Sequence, residues 1–144
     1  MMGEVRVKLK LSNPFDEAFV RIGQRKSVRS CTVDAMVDTG SVRSCIPQAI
    51  ARKLGITIRG YEMAELADGK AQRVERTDAL VFDLNGRSCS EDTLVLGNEV
   101  LIGQTVLERL DFLVDCKRRR LIAGHPGQAI NKVKQVSSVL PKRR

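Results

Sequence analysis

The stretch Ala35-Met36-Val37-Asp38-Thr39-Gly40-Ser41 places an acidic residue directly after an apolar strand. A carboxylate in that position is costly to bury unless neighbouring groups satisfy it or it serves a function. Thr39 and Gly40 permit a tight loop in which backbone N–H groups and hydroxyls can point at the carboxylate. The stretch is therefore either a turn at a strand end or a loop that holds Asp38 in a fixed orientation for chemistry.

The segment before this loop has the pattern of β-structure. Apolar and polar residues alternate over residues 5–11, which predicts a strand that ends at Asn13-Pro14. Residues 15–22 are interpreted as a second strand or a loose hairpin. Residues 27–37 become more apolar toward their end and predict the strand that leads into Asp38.

The segment after the loop predicts two short helices among further strands. Pro47 and Gly55 are typical of the beginning and end of a helix, and Asp68-Gly69 and Asn85-Gly86 predict hairpin turns. An apolar strand, a glycine-containing loop and a short helix occur in this order twice, which suggests two related half-units in one all-β domain. Those half-units lie at 35–54 and 100–110, and the other predicted strands lie at 56–66, 79–84, 93–96, 112–114 and 121–122.

Several short motifs occur in a distinctive order along the chain. They are Gly3-Glu4-Val5-Arg6-Val7, Met36 to Ser41, Ile46-Pro47, Lys53-Leu54-Gly55, Leu66-Ala67-Asp68-Gly69, Val100 to Gln104 and Phe112-Leu113-Val114-Asp115. In this order and at these distances they resemble the retropepsin-like aspartic proteases, in particular the small microbial single-domain group. The resemblance covers roughly residues 3–123.

This resemblance implies a fold and an activity. The fold would be an all-β, retropepsin-like acid-protease half-barrel with one or two short helices, assembled as a two-fold homodimer. The activity would be that of an aspartic endopeptidase acting on a peptide or protein substrate without a cofactor or metal. The implied residues are Asp38, Thr39 and Gly40 in catalysis, Ser41, Ile102 and Gly103 in support, and Ala67, Asp68, Gly69 and Lys70 in a substrate-covering flap.

The number of carboxylates predicts the homodimer. Aspartic proteases use two, whereas this chain has one Asp-Thr-Gly and carries Leu101-Ile102-Gly103, with no acid, in its second half-unit. The second carboxylate is therefore expected from a second copy related by a two-fold axis. A non-catalytic dimeric module that binds peptides is an alternative, although the intact Asp-Thr-Gly-Ser disfavours it.

Charge divides the chain into a predicted domain, residues 1–123, and a basic tail, residues 124–144. Residues 117–144 hold nine of the 25 basic residues and none of the 17 acidic ones, which leaves 16 basic against 17 acidic residues elsewhere. Such a tail is typical of a solvated end; a nucleic-acid-associated protein that acts through it is the other alternative. Aromatic residues make up 3%, which predicts an aliphatic core and disfavours a surface that stacks bases.

Other features exclude competing chemistries. No apolar run approaches the roughly 20 residues needed to span a bilayer, and Met1 to Lys10 lacks the apolar stretch of a signal peptide. We therefore expect a cytoplasmic protein without a membrane partner. The widely spaced Cys31, Cys45, Cys89 and Cys116 are expected to be buried thiols. A serine or cysteine hydrolase would depend on the single histidine, His125, beside Pro126.

Overall fold

The computed structural model describes residues 4–127, which form eleven strands and three short helices. The strands are β1 Val5–Ser12, β2 Ser30–Val37, β3 Cys45–Ile46, β4 Ile58–Glu65, β5 Ala71–Thr77, β6 Leu80–Leu84, β7 Arg87–Glu91, β8 Leu94–Val95, β9 Leu101–Ile102, β10 Phe112–Asp115 and β11 Arg120–Ala123. The helices are α1 Pro14–Arg21, α2 Gln48–Leu54 and α3 Gln104–Leu110. None of the helices within this range has the length and apolar character needed to cross a membrane.

Nine strands form one curled sheet, in the order β4-β5-β8-β3-β9-β2-β1-β6-β7, and β10 pairs with β11 in a separate hairpin. The strands of the two predicted half-units are neighbours, because β2 and β9 run parallel with Met36 opposite Leu101 and Val37 opposite Ile102. The ends of both strands therefore lie side by side, and the loop that contains Asp38 begins there.

The core lies between this sheet and helices α2 and α3, and it is mainly aliphatic, as predicted. Its fully enclosed side chains include Leu9, Leu54 and Ile102, and the largest of them is Phe82. Gly55 ends α2 in the left-handed region, with φ of 64°, which confirms its predicted role as the cap residue.

The segment predicted as a second strand or loose hairpin is instead helix α1. Asn13 caps it, because the side-chain Oδ1 accepts hydrogen bonds from the backbone N–H groups of Phe15, at 2.9 Å, and Asp16, at 3.2 Å. Pro14 occupies the first turn, where its missing N–H has no consequence. The strand prediction was wrong because Asn13-Pro14 was interpreted only as the end of β1, although the same pair is a helix-start signal.

The four cysteines are free thiols, but they are not equally buried. Cys31 and Cys45 lie in the interior as predicted, whereas Cys89 and Cys116 are half-buried. The prediction of four interior thiols is therefore wrong for the second pair, since Cys89 belongs to the polar strand β7 and Cys116 to the turn after β10.

Candidate active site

The Asp38 carboxylate is held by its own loop. Its Oδ1 accepts a hydrogen bond from the Gly40 backbone N–H at 3.0 Å. Its Oδ2 accepts one from the Ser41 hydroxyl at 2.8 Å. Hydrogen bonds to both oxygens fix the plane of the carboxylate. Asp38 and Ser41 are only partly buried, so the group is oriented and still accessible.

The second half-unit supports this loop through its backbone. The Asp38 N–H donates to the Ile102 carbonyl at 2.9 Å, and the Gly103 N–H donates to the Ser44 hydroxyl at 2.9 Å. The Gln104 N–H donates to the Ser41 carbonyl at 2.8 Å. The structure thus brings Asp38, Ser41, Ile102 and Gly103 together, and their catalytic and supporting roles stay a prediction.

Gly103 is required by packing. A Cβ at this position would lie 2.5 Å from the Arg43 carbonyl carbon and 2.9 Å from the Ser44 nitrogen. Those neighbours are backbone atoms, so the clash could not be relieved by a side-chain rotation. Thr39 is exposed at the turn of the same loop, and its hydroxyl has no hydrogen bond within residues 4–127.

A cavity of about 470 Å³ lies between the Asp38 loop and the β4–β5 hairpin. Most of its walls are apolar. The lining residues are Asp38, Gly40, Ser41, Val42, Arg43, Cys45, Met63, Ala64, Glu65, Leu66, Ala67, Leu94, Leu96 and Leu101. A mainly apolar cavity beside an accessible carboxylate can bind the aliphatic side chains of a ligand.

The predicted flap residues form the tip of that hairpin. Asp68 Oδ1 accepts a hydrogen bond from the Lys70 N–H at 2.9 Å, and Gly69 has a φ of 82°. Only Ala67 of the four predicted residues lines the cavity with Asp38. Sequence analysis missed Met63, Ala64 and Glu65 on the hairpin; the end of the predicted strand 56–66, before the glycine turn, was the available signal.

Cys45 lines the cavity but is unsuited to act as a nucleophile. Burial, and to a lesser extent the nearby Asp38 carboxylate, raise the pKa of its thiol. A raised pKa keeps the sulfur protonated, whereas a nucleophilic cysteine needs the thiolate. Within residues 4–127, no group of three His, Cys, Asp or Glu side chains is placed to hold a metal ion. Among the side chains that line the cavity, Asp38 is the carboxylate that two hydrogen bonds from its own loop hold in place.

Comparisons with known proteins agree with this geometry. Residues 27–109 match the family described as gag-polyprotein putative aspartyl protease. The retroviral protease-like domain of Ddi1 from Leishmania major is similar in structure, with a TM-score of 0.55, 18% identity and coverage of 85% of this chain and 90% of that one. The protease of Simian Foamy Virus (mac) has a TM-score of 0.46 and 13% identity over 71% of this chain and 90% of that chain. No curated protein sequence matches.

The family match and the shared fold confirm the predicted resemblance and the predicted retropepsin-like fold, whereas the two-fold homodimer stays a prediction. The sheet is the expected half-barrel, and it carries three short helices where one or two were predicted, because α1 replaces the strand expected at 15–22. The predicted tail begins at Gly124, and residues 128–144 lie outside the described range. Within that range, the backbone N–H of Gly124 donates to the Asp111 carbonyl at 2.8 Å, and that of His125 donates to the Asp111 carboxylate at 2.9 Å.

Proposed function

This chain belongs to the gag-polyprotein putative aspartyl protease family, and on that premise we propose that it is an aspartic endopeptidase that acts as a homodimer. The observation that carries the proposal is the Asp38 carboxylate, which Gly40 and Ser41 orient and which lines an apolar cavity. Asp38, Thr39 and Gly40 are the proposed catalytic residues, and Ser41, Ile102 and Gly103 support them.

The proposed mechanism needs a second carboxylate beside the first. One carboxylate, ionised, removes a proton from a water molecule that attacks the peptide carbonyl, and the other, protonated, donates a hydrogen bond to the carbonyl oxygen. Two like charges held close together do not both ionise readily, so such a pair shares one proton. The other half-unit offers Ile102 and Gly103 at the corresponding place, and Gly103 has no room for a side chain.

We therefore assign the second carboxylate to Asp38 of a second copy. The end of β2 that continues into Asp38, and the loop after it, are accessible in a single chain. The exposed Thr39 hydroxyl has no hydrogen-bond partner within residues 4–127, so it is free to bond across a two-fold axis. The β4–β5 hairpin, with Ala67, Asp68, Gly69 and Lys70 at its tip, is the proposed flap. A glycine turn at a hairpin tip suits a segment that opens to admit a peptide and closes over it.

The cavity walls indicate the preferred peptide. Met63, Leu66, Leu94, Leu96 and Leu101 contribute aliphatic surface, and no aromatic residue is among the lining side chains. We propose that the enzyme cleaves next to aliphatic residues, because burial of such a side chain stabilises the complex by about 0.8 kcal/mol per CH₂ group.

The decisive variant is Asp38→Asn. An amide is nearly isosteric with the carboxylate but cannot act as a base, so peptide cleavage should fall by about three orders of magnitude or more, while the fold and the dimer persist. The matched control is Asp34→Asn, which makes the same change at an exposed position of the same strand. Wild-type turnover in Asp38→Asn would exclude Asp38 as the catalytic group.

Mixing the two proteins tests the dimer. After complete exchange between equal amounts of wild type and Asp38→Asn, about a quarter of the dimers contain two carboxylates. The specific activity of the mixture should therefore fall to about a quarter of the wild-type value. In a separate experiment, dilution of wild type alone should lower the specific activity of wild type, because the dimers dissociate. A fall to one half, with no effect of dilution, would mean that each chain works alone. Peptide binding without cleavage by wild type would support a binding module instead.

A further inference from the structure

Four charged side chains connect the Asp38 loop to the hairpin that covers the cavity. Arg43 Nη1 donates to Glu62 Oε2 at 3.0 Å, and Arg43 Nη2 donates to Asp92 Oδ1 at 2.8 Å. Arg76 approaches the same two acids, with its Nε 3.9 Å from Glu62 Oε2 and its Nη1 3.4 Å from Asp92 Oδ2. Cations and anions alternate, and each charge contacts two of opposite sign. We call this closed set of Arg43, Glu62, Arg76 and Asp92 the Arg43 ring.

The members of the Arg43 ring come from four parts of the chain. Arg43 belongs to the Asp38 loop, Glu62 to β4, Arg76 to β5, and Asp92 to the connection between β7 and β8. Their side chains are 29% to 38% exposed, which places the ring between the interior and the solvent. Isolated, fully exposed ion pairs contribute little to stability, but a partly buried network with good geometry contributes more.

The hairpin backbone is shaped to admit the ring. The register of β4 and β5 shifts between Ile58 and Gly60, which is a bulge at the base of the hairpin. A Cβ at Gly60 would lie 3.3 Å from Arg76 Nη2, so the missing side chain gives the guanidinium its space. Gly60, opposite Arg76 in the pairing of β4 with β5, therefore leaves space for the Arg76 guanidinium near Glu62.

The Arg43 ring contacts the hairpin at Glu62 and Arg76, nearer its base than the part that lines the cavity. That part, residues 63–67, lies toward the tip of the hairpin and lines the cavity that contains Asp38. Glu62 does not line that cavity, although Arg43 does. A change at Glu62 can thus reach the cavity only through Arg43 or through the position of the hairpin.

We propose that the Arg43 ring is a positioning device that fixes the hairpin relative to the Asp38 loop and thereby sets the affinity for a peptide. This inference rests on the proposed protease function for its meaning, but its contacts exist in the single chain. Glu62 and Arg76 are positioning residues rather than catalytic ones. Breaking the ring should let the hairpin open more often, which weakens substrate binding more than it slows the chemical step.

The test uses Glu62→Gln with Asp78→Asn as its matched control. Both variants convert an acid to its amide, and both acids pair with an arginine, since Arg59 Nη1 lies 2.9 Å from Asp78 Oδ1. The Arg59–Asp78 pair joins β4 to the residue after β5 at the base of the same hairpin, but its residues are not among those of the Asp38 loop. Any general loss of stability should therefore be common to both variants.

Two measurements are needed. Steady-state kinetics on an uncharged aliphatic peptide should show KM raised about five-fold in Glu62→Gln with kcat changed less than two-fold, the size expected for one lost ion-pair contact. High salt should raise KM of wild type toward that value and affect Glu62→Gln less, because salt screens the intact ring. Amide hydrogen exchange over residues 62–76 should be faster in Glu62→Gln than in Asp78→Asn, since only the first variant loses a contact to the Asp38 loop.

The outcomes separate the two proposals. An unchanged KM and unchanged hairpin exchange in Glu62→Gln would overturn the role of the ring, as would equal effects in both variants. If wild type cleaves no peptide, the protease proposal fails, but exchange over residues 62–76 still decides whether the ring holds the hairpin. Glu62→Asp, which keeps the charge on a shorter side chain, should recover part of the lost affinity.

Discussion

The two half-units of this domain have similar backbones, but the ends of their strands β2 and β9 have different roles. Strand β2 ends at Val37 and continues into Asp38, whereas its parallel neighbour β9 ends at Ile102 and continues into Gly103. At the first end, the loop turns two hydrogen-bond donors toward a carboxylate. At the second end, the backbone itself contacts the first loop, and there is no space for a side chain. One half-unit thus carries the oriented carboxylate, and the other holds its loop in place.

Gly103→Ala should have the largest effect on this arrangement. The new Cβ would lie 2.5 Å from backbone atoms of Arg43, so the Asp38 loop must shift, at a cost of about 3 kcal/mol or more of unfolding free energy. Activity should be lost with it. Gly40→Ala is the matched control in the other half-unit: its Cβ would lie 3.3 Å from Asp38 Oδ1, so the free energy of unfolding should change by only about 1 kcal/mol. Denaturant unfolding distinguishes the two, and equal losses would contradict the comparison.

Asp16→Asn tests an ion pair that stabilises the fold but does not belong to the loops after β2 and β9. Asp16 is 2% exposed, and its carboxylate binds the Arg29 side chain through Nε at 2.8 Å and Nη2 at 3.0 Å, just before β2 begins. Since Arg29 is partly exposed and can be rehydrated, the variant should lose about 2–3 kcal/mol of unfolding free energy. Cleavage per folded molecule at pH 5 should be unchanged. A selective loss of activity would show that the start of β2 controls the Asp38 loop.

The same variant has a predictable dependence on pH. The hydrogen bonds from the Arg29 side chain, opposed by burial, lower the pKa of Asp16 from 3.8 to about 2. Because the folded state has the lower pKa, the stabilisation is complete above pH 4 and is lost as the pH falls through about 2. The difference in unfolding free energy between wild type and Asp16→Asn should shrink over that window. A difference that stays constant from pH 5 to pH 2 would contradict the assignment.

Ser44→Ala should separate structural support from chemistry. The Ser44 hydroxyl is buried and accepts a hydrogen bond from the Gly103 N–H. Its loss leaves that donor unsatisfied in the interior, which should cost about 1–2 kcal/mol of unfolding free energy. The kcat of the remaining folded protein should be that of wild type, and a lowered kcat would show that Ser44, like Ser41, helps to orient the Asp38 carboxylate.

Ser41→Ala should have the smallest effect on stability, about 0.5 kcal/mol or less, because Ser41 is only partly buried. Its hydroxyl donates to the Asp38 carboxylate and helps to fix the plane of that group. Without that hydrogen bond, kcat should fall about five-fold, the size expected for the loss of one hydrogen bond that orients the carboxylate. A wild-type kcat in Ser41→Ala, measured beside Ser44→Ala, would mean that this hydrogen bond does not orient Asp38.

Local sequence determined those features that depend on neighbouring residues. The turn at Asn85-Gly86 follows from the ease with which these residues adopt a positive φ, 50° and 80° here. Helix α3 occupies residues 104–110, as its apolar spacing predicted. The Asp-Thr-Gly-Ser motif predicted an oriented carboxylate because Gly40 and Ser41 are close enough along the chain to donate to Asp38.

Only the tertiary structure decided which distant residues meet. Strand β7 is polar, and no strand was predicted at residues 87–91. It forms because backbone N–H and C=O groups of β6 pair with those of β7 across the Asn85-Gly86 turn. The Arg43 ring joins residues as far apart in sequence as Arg43 and Asp92. The sequence does not indicate which of many possible partners a charged residue contacts, because the pairing depends on how the sheet curls. The sequence therefore specified Asp38 and the two donors beside it, while the curled sheet decided which hairpin lies against the cavity and which charged residues connect that hairpin to the Asp38 loop.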